Sequence, residues 1–403
     1  MADEPLVKGQ CPVKSCLFTT DMSLLQDSDV IVLHFDTLED YPVNRQPHQR
    51  FVFYHFESPD NTASNLMNDP YFRYNYFNWT MTYRRDSDVF LRDYYGSLIA
   101  KNSLKNNTRQ ARYNYRNVTN SLTTTTGHVD VSENIPGSEL VKSQSDLAAL
   151  IRGKNKMVTW FVGHCTTPIR REEYVRQLSQ HVAVDIFGNC TKECPYPCDD
   201  MLRAEYKFYL AFENSWCPDY VTEKFIRPFV YDAVPIFLGG ADYSHFAPPH
   251  SYINARDFES PKALADYLML LDKSDSLYAK YFDWKKDYYV SVPDFYGWCE
   301  LCRMAHDSTL PRKVYHDIKR PTNISDMVAE MPSVYDDAKD GGALTSLNTN
   351  ILSTNILTIE SRPQINSGMI EHSRQHLKSL LLAVILDDQG KYFKATHLLL
   401  HNR

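Results

Sequence analysis

Short apolar runs alternate with segments of helical spacing along most of the chain. Val30-Ile-Val-Leu-His34 and Arg50–Phe56 read as buried strands, and Asn78–Tyr83 alternates polar and apolar positions as a third strand does. Ser143–Ile151 has the pattern of a short helix leading to a boundary near Lys154. Beyond it Met157–Val162, Val182–Phe187, Phe208–Phe212 and Ala233–Gly240 read as further strands. Ile169–His181 suits a helix, and Lys262–Leu271 sets Ala263, Leu264, Tyr267 and Leu268 on one side. Strands alternating with helices in both halves predict an α/β fold of two doubly wound domains facing across a cleft. The pattern divides the chain into residues 1–153, with a polar loop or insertion at 101–139, residues 154–320, and a tail at 321–403. In the tail, Ala338–Gly368 has the composition of a disordered linker and Met369–Leu386 that of an amphipathic helix.

The segment Phe208–Gly240 reads as strand, loop, helix and strand, a βαβ unit. Pro218-Asp219 marks a fresh start, with Asp219 as the expected N-cap of a helix through Glu223, Lys224, Phe225 and Ile226. The preceding loop lies outside the carboxyl end of a strand, where open parallel sheets bind ligands. A helix N-terminus there favours negative charge, and Lys224 adds a cation, which suits a diphosphate. Glu223 stabilises the first helical turn by itself, whereas Lys224 opposes the macrodipole and is better explained by a bound anion. Glu57 directly follows the strand Arg50–Phe56, so it emerges at that strand's carboxyl end, and Pro59 keeps the next residues out of a helix. Glu57 is the candidate general base; the competing reading is an ordinary surface carboxylate. Asp86-Ser-Asp88 has metal-ligand spacing, but the adjacent Arg84 and Arg85 favour a salt-bridged turn.

Composition narrows the classes. The 403 residues suffice for two or three domains, and 20 Phe and 27 Tyr supply core and binding-platform material. A net charge of −7 argues against a nucleic-acid partner. Nine cysteines cluster as Cys11/Cys16, Cys190/Cys194/Cys198 and Cys299/Cys302, with Cys165 and Cys217 apart. Metal ligation and disulfides both fit such spacing, and the odd count leaves at least one thiol unpaired or intermolecular. Glycosylation sequons occur at Asn78, Asn106, Asn117, Asn189 and Asn323. No apolar stretch is long enough to span a bilayer.

The same residues carry a resemblance. Phe208–Lys224, followed by Gly239–Ile253 and Asp257-Phe258, resembles the signature of the α1,3-fucosyltransferases, which move fucose from GDP-fucose to N-acetylglucosamine of glycans. Phe77–Val89, Phe56-Glu-Ser-Pro59 and Trp298-Cys-Glu-Leu-Cys302 are similar to that family too, so the likeness runs from about Cys11 to Arg312 and omits the tail. It implies the GT-B architecture, Glu57 as base, Lys224 on the phosphates and Glu223 on ribose or fucose hydroxyls. Arg171, rather than Arg170, matches the donor-binding arginine, and its guanidinium can grip two phosphate oxygens at once. Glu213, Asn214 and Tyr220 become donor contacts, and Tyr95 of Tyr95-Gly96 lines the donor site. The Cys11/Cys16 pair would be tied to Cys299/Cys302, in an oxidising compartment. Gly163-His164 stands where the family usually has Ser-Asn, and Asp93-Tyr94 replaces a proline context.

The implied chemistry is one in-line displacement with inversion, needing a base and cations for the departing diphosphate. No cofactor and no metal are required, although a divalent ion could stimulate. The implied partners are GDP-fucose and an N-glycan acceptor on glycoproteins. The Gly239–Tyr243 and Trp298–Cys302 runs look most like invertebrate and plant-type members, which implies the core N-acetylglucosamine; an antenna acceptor is the alternative. The family's place is the Golgi lumen, held by a type II membrane anchor that this chain does not show. The absent anchor, Gly163-His164 and the unmatched tail motivate a different class, a non-catalytic soluble GDP-sugar-binding variant.

Overall fold

The computed structural model describes residues 11–35, 38, 40–59, 65–91, 94–101, 144–291, 296–318 and the strand at 397–402. Two sheets organise them. The first contains β1 (Cys16–Thr19), β2 (Val30–His34), β3 (Arg50–His55), β4 (Trp79–Thr82) and β5 (Val89–Phe90), with β2 to β5 mutually parallel. Its strands are apolar on both faces, as a parallel sheet covered on both sides requires. Ile31, Leu33, Phe51 and Phe53 pack with Phe35, Phe72 and Phe77 in one core cluster. Val30, Val32, Val52 and Met81 pack in another with Cys299, Leu301 and Met304 from the helix Tyr296–Ala305.

A short strand, β6 (Ser97–Ala100), leads out of this half. The second sheet holds β7 (Lys156–Phe161), β8 (Val184–Phe187), β9 (Tyr206–Phe212), β10 (Val234–Leu238) and β11 (Ile253–Asn254), ordered β11-β10-β9-β7-β8 and parallel throughout. Every residue of β9 is buried. The helix Glu223–Val230 lays Phe225 and Phe229 against Phe237, while Phe208 meets Tyr278 in an edge-to-face contact at 5.5 Å. The chain then returns: β12 (Tyr288–Ser291) pairs antiparallel with β6, and the helix Tyr296–Ala305 reaches the first sheet. Disulfides Cys11–Cys299 and Cys16–Cys302 fasten that helix to the start of the fold, the pairing the resemblance implied. Cys165–Cys190 and Cys194–Cys198 are also bonded, and Cys217 is a buried thiol. Two α/β halves joined by a returning terminal helix make the GT-B arrangement.

Several expectations change. Sequence pattern assigns no element to the end of the tail, yet β13 (His397–Asn402) inserts antiparallel between β1 and β2. The physical reason is the open edge of β2, whose backbone groups need a partner. Ala338–Gly368, Met369–Leu386, Asn106, Asn117 and Asn323 lie outside the described residues. So does the expected loop at 101–139, apart from Lys101. Asn78 is no glycan carrier in the folded chain, being 4% exposed with both amide atoms engaged. Its Oδ1 accepts from Phe51 N and from Arg45, and its Nδ2 donates to Lys313 O. Asn189 is exposed. Among the described residues no helix is long and apolar enough to cross a membrane.

Lys154 shows how the second half is closed. Its buried ammonium donates to the carbonyls of Leu202 (3.1 Å), Arg203 (2.6 Å) and Tyr206 (2.9 Å), where the helix Cys198–Glu205 ends and β9 begins. Burial pulls the pKa of this amine down to about 7, and protonated or not it supplies a donor to carbonyls that would otherwise be unpaired. Lys154→Met should lower unfolding free energy by about 1–3 kcal/mol, because the acceptors stay buried. Denaturant titration measures this, and an unchanged midpoint would refute the account.

Candidate functional site

The site forms where β3 and β9 end opposite one another. Glu57 leaves the carboxyl end of β3, as its position predicts, and is half-buried. Facing it is the loop 213–222, between β9 and the helix Glu223–Val230. The Tyr220 hydroxyl donates to Glu57 Oε2 at 2.8 Å, and Ser58 Oγ lies 2.6 Å from Ser215 Oγ. Tyr83, from the turn after β4, packs edge-on against Tyr220 at 5.1 Å. Its neighbour Arg85 reaches His245 Nδ1 at 2.6 Å, and Arg85 N donates to Asp219 Oδ2 at 3.2 Å. Sequence reasoning missed these contacts between the halves, since nothing local pairs residues more than a hundred positions apart.

The helix begins differently from the expectation. Its N-cap is Thr222, whose hydroxyl accepts from Lys224 N, whereas Asp219 takes a left-handed turn conformation at φ 60°. The Pro218-Asp219 pair marks the turn, and Thr222 before Glu223 was the overlooked cap signal.

Glu213 lies at the bottom of the site, 2% exposed. Its carboxylate accepts from Thr222 N (2.9 Å) and Thr222 Oγ1 (2.9 Å) and pairs with Lys224 Nζ at 3.3 Å. Lys224 Nζ also meets Glu223 Oε1 at 3.0 Å and Thr222 Oγ1 at 2.8 Å. Burial pushes the Glu213 carboxyl up, with Lys224 opposing. For Lys224 burial acts downward, but the Glu213 and Glu223 carboxylates outweigh it and raise the ammonium. The conflict of Lys224 with the helix dipole is therefore answered by two carboxylates as well as by any bound anion. The Glu223 side chain keeps access to solvent at the rim while its carboxyl sits against protein; that partial desolvation works against ionisation, and the charge and hydrogen bond of Lys224 overcome it and hold the group low.

Arg171 opens the helix Arg171–Leu178 and is 2% exposed, which removes the reading of a solvated helix arginine. Its Nη1 donates to Phe212 O at 2.6 Å and its Nη2 to His164 O at 3.3 Å, while Nε is buried with no partner. Burial pulls its pKa down against the pull of Glu213 and Glu172. Arg170 is exposed at φ 51°, so of the two adjacent arginines only Arg171 turns inward. Cys165–Cys190 ties down the loop whose His164 carbonyl receives Arg171. Asn214 is buried with its Oδ1 unpartnered. Tyr95 lines a pocket with Gly96, Val221, Thr222 and Phe225. Burial, then Glu223, Tyr94, Glu57 and Glu213, keep its phenol protonated. The structure thus brings Glu57, Tyr95, Arg171, Glu213, Asn214, Tyr220, Glu223 and Lys224 into one region.

Asp86 and Asp88 behave as the salt-bridged turn. Arg84 grips Asp86 through two bonds of 2.6 and 2.7 Å, and Asp88 meets Lys313 at 3.0 Å and Tyr315 at 2.8 Å. Cys16, Cys302 and His306 lie close together, but both sulfurs are in a disulfide.

The profile described as "Fucosyltransferase, N-terminal" matches residues 2–95, and "Glycosyltransferase family 10 (fucosyltransferase) C-term" matches residues 151–321. The chain is 36% identical over 325 residues to alpha-(1,3)-fucosyltransferase C of Drosophila melanogaster, covering 77% of this chain and 69% of that one. It is 31% identical over 317 residues to glycoprotein 3-alpha-L-fucosyltransferase A of the same fly, covering 76% and 54%. A crystal structure of an alpha1,3-fucosyltransferase with GDP aligns at TM-score 0.44 and 19% identity, covering 70% and 78%. The chain belongs to the α1,3-fucosyltransferases of glycosyltransferase family 10. It spans between about half and two-thirds of the length of these fly relatives, at 54% and 69%.

Gly239 sits against this machinery. A Cβ there would lie 2.6 Å from the Tyr243 hydroxyl and 3.4 Å from Glu213. Tyr243 cannot swing aside, since its ring is buried and stacked on Phe237 at 4.4 Å. Gly239→Ala should cost about 1–3 kcal/mol by overpacking. Adding Tyr243→Phe, which removes the clashing oxygen, should restore most of it; thermal unfolding of both variants decides.

Proposed function

We propose that this chain transfers L-fucose from GDP-β-L-fucose to O3 of N-acetylglucosamine in N-glycans, with inversion at the anomeric carbon. Glu57 takes the proton from the acceptor O3 as that oxygen forms its bond to fucose C1. The bond from C1 to the β-phosphate oxygen breaks, and its electron pair leaves with GDP. Arg171 and Lys224 receive the charge that develops on the diphosphate. Glu223 holds sugar hydroxyls, and Asn214 and Tyr95 line the donor seat. The observation that carries the reading is the direct bridge from Glu57 at the end of β3 to Tyr220 in the loop that precedes Lys224. It supports the reading because it joins the Glu57 carboxylate to the loop that leads to Lys224.

The core N-acetylglucosamine is the acceptor favoured by the Gly239–Tyr243 and Trp298–Cys302 runs. We assign the Golgi lumen as compartment, because four disulfides among the described residues need an oxidising environment.

Incubating the full chain with GDP-fucose and a defined N-glycan set tests the whole reading. A fucosylated core is the expected product; fucose on an antenna would move the acceptor, and GDP binding without turnover would refute catalysis. Glu57→Gln should lower transfer about a hundredfold or more while GDP binding persists. Wild-type transfer by that variant would remove Glu57 as base. Lys224→Met should raise the donor KM about tenfold or more, through loss of a charge-assisted contact. An unchanged donor KM would take Lys224 out of the diphosphate site.

A further inference from the structure

We propose that Tyr220 is a positioning residue for Glu57, so that the loop seating the donor also aims the base. The proposal rests on the reading of Glu57 as base and assigns Tyr220 a role other than donor contact. A phenol carries one proton, and here it goes to Glu57 Oε2 at 2.8 Å. That proton is not available to a phosphate oxygen while the bond stands. Burial raises the phenol's pKa, reinforced by the Glu213 and Glu57 carboxylates, so Tyr220 remains a donor at working pH.

Tyr220 is held in place by its own surroundings. Tyr220 is 1% exposed and clusters with Tyr83 and Cys217. Its backbone N–H donates to Cys217 O at 3.2 Å. Two residues on, Thr222 is locked to buried Glu213, which in turn pairs with Lys224. The phenol is therefore held by the loop that leads to the diphosphate cation. A hydrogen bond to one oxygen of a carboxylate constrains the orientation of the group, and Tyr220 supplies such a bond to Glu57 from the loop that seats the donor, before the acceptor arrives. Such preorganisation acts on the chemical step rather than on donor affinity.

The test uses the full chain as wild type, Tyr220→Phe, Glu57→Gln and the double variant, with GDP-fucose and an N-glycan acceptor. GDP affinity is read by calorimetry, kcat and donor KM by product formation, and folding by Tm. Tyr220→Phe keeps the ring against Tyr83 and removes only the hydroxyl. It should leave GDP affinity and donor KM within about threefold while lowering kcat about tenfold or more. In the Glu57→Gln background it should change the remaining rate by less than about twofold, because the group it positions is gone. Three results would overturn the role: wild-type kcat in Tyr220→Phe, a loss of GDP affinity equal to the loss of kcat, or full additivity with Glu57→Gln. Lost GDP binding together with a Tm lowered by more than about 10 °C would mean a structural role, and overturns it too. Failure of the parent reading looks different, since Glu57→Gln would itself transfer at the wild-type rate.

Discussion

The buried carboxylate of Glu213 is the interaction on which the rest of the site depends. A carboxyl group at 2% exposure, pushed up by burial, has to be paired and hydrogen-bonded, and Glu213 has both kinds of partner in Thr222 and Lys224. One carboxylate thereby fixes the first turn of the helix Glu223–Val230, the direction of the Lys224 side chain and the exit of the loop carrying Tyr220. Loss of any partner would leave a charge stranded in the interior. Lys224 is already balanced by two carboxylates, those of Glu213 and Glu223. The site is not simply a cationic hole, as charge pattern along the sequence had suggested.

A second constraint brings the two halves together. The pairing of β12 with β6 returns the chain, and the helix Tyr296–Ala305 is then fastened by Cys11–Cys299 and Cys16–Cys302. These bonds join residues 288 and 286 positions apart, so they restrict the unfolded ensemble strongly. They also hold the first sheet beside the second closely enough for Ser58 to meet Ser215 and Tyr83 to meet Tyr220. Glu57 and the loop 213–222 come from different sheets, and this fastening makes their meeting durable.

Much of this was legible in the chain itself. The apolar runs at Val30–His34 and Arg50–His55 and the βαβ unit ending at Leu238 are strong local signals, because buried strands of a parallel sheet must be apolar on both faces. Glu57 and Lys224 were placed at strand and helix ends by the same local rules. The long motif from Phe208 to Lys224 pointed to the chemistry through its resemblance to the α1,3-fucosyltransferase signature, while its helix N-terminus and Lys224 by themselves suited a diphosphate.

The tertiary structure alone decided the rest. It chose Thr222 over Asp219 as cap and burial over glycosylation for Asn78, and it buried Arg171, the arginine that the resemblance had already picked over Arg170. It joined Glu213 to Thr222 and Tyr220 to Glu57, bonds that no local pattern announces. It also put His397–Asn402 between β1 and β2. Each of these depends on which groups meet across large sequence separation, and on what burial then forces them to bond. Local pattern carries the period of a strand or helix, but desolvation and pairing are properties of the packed neighbourhood, which exists only once the chain has closed on itself.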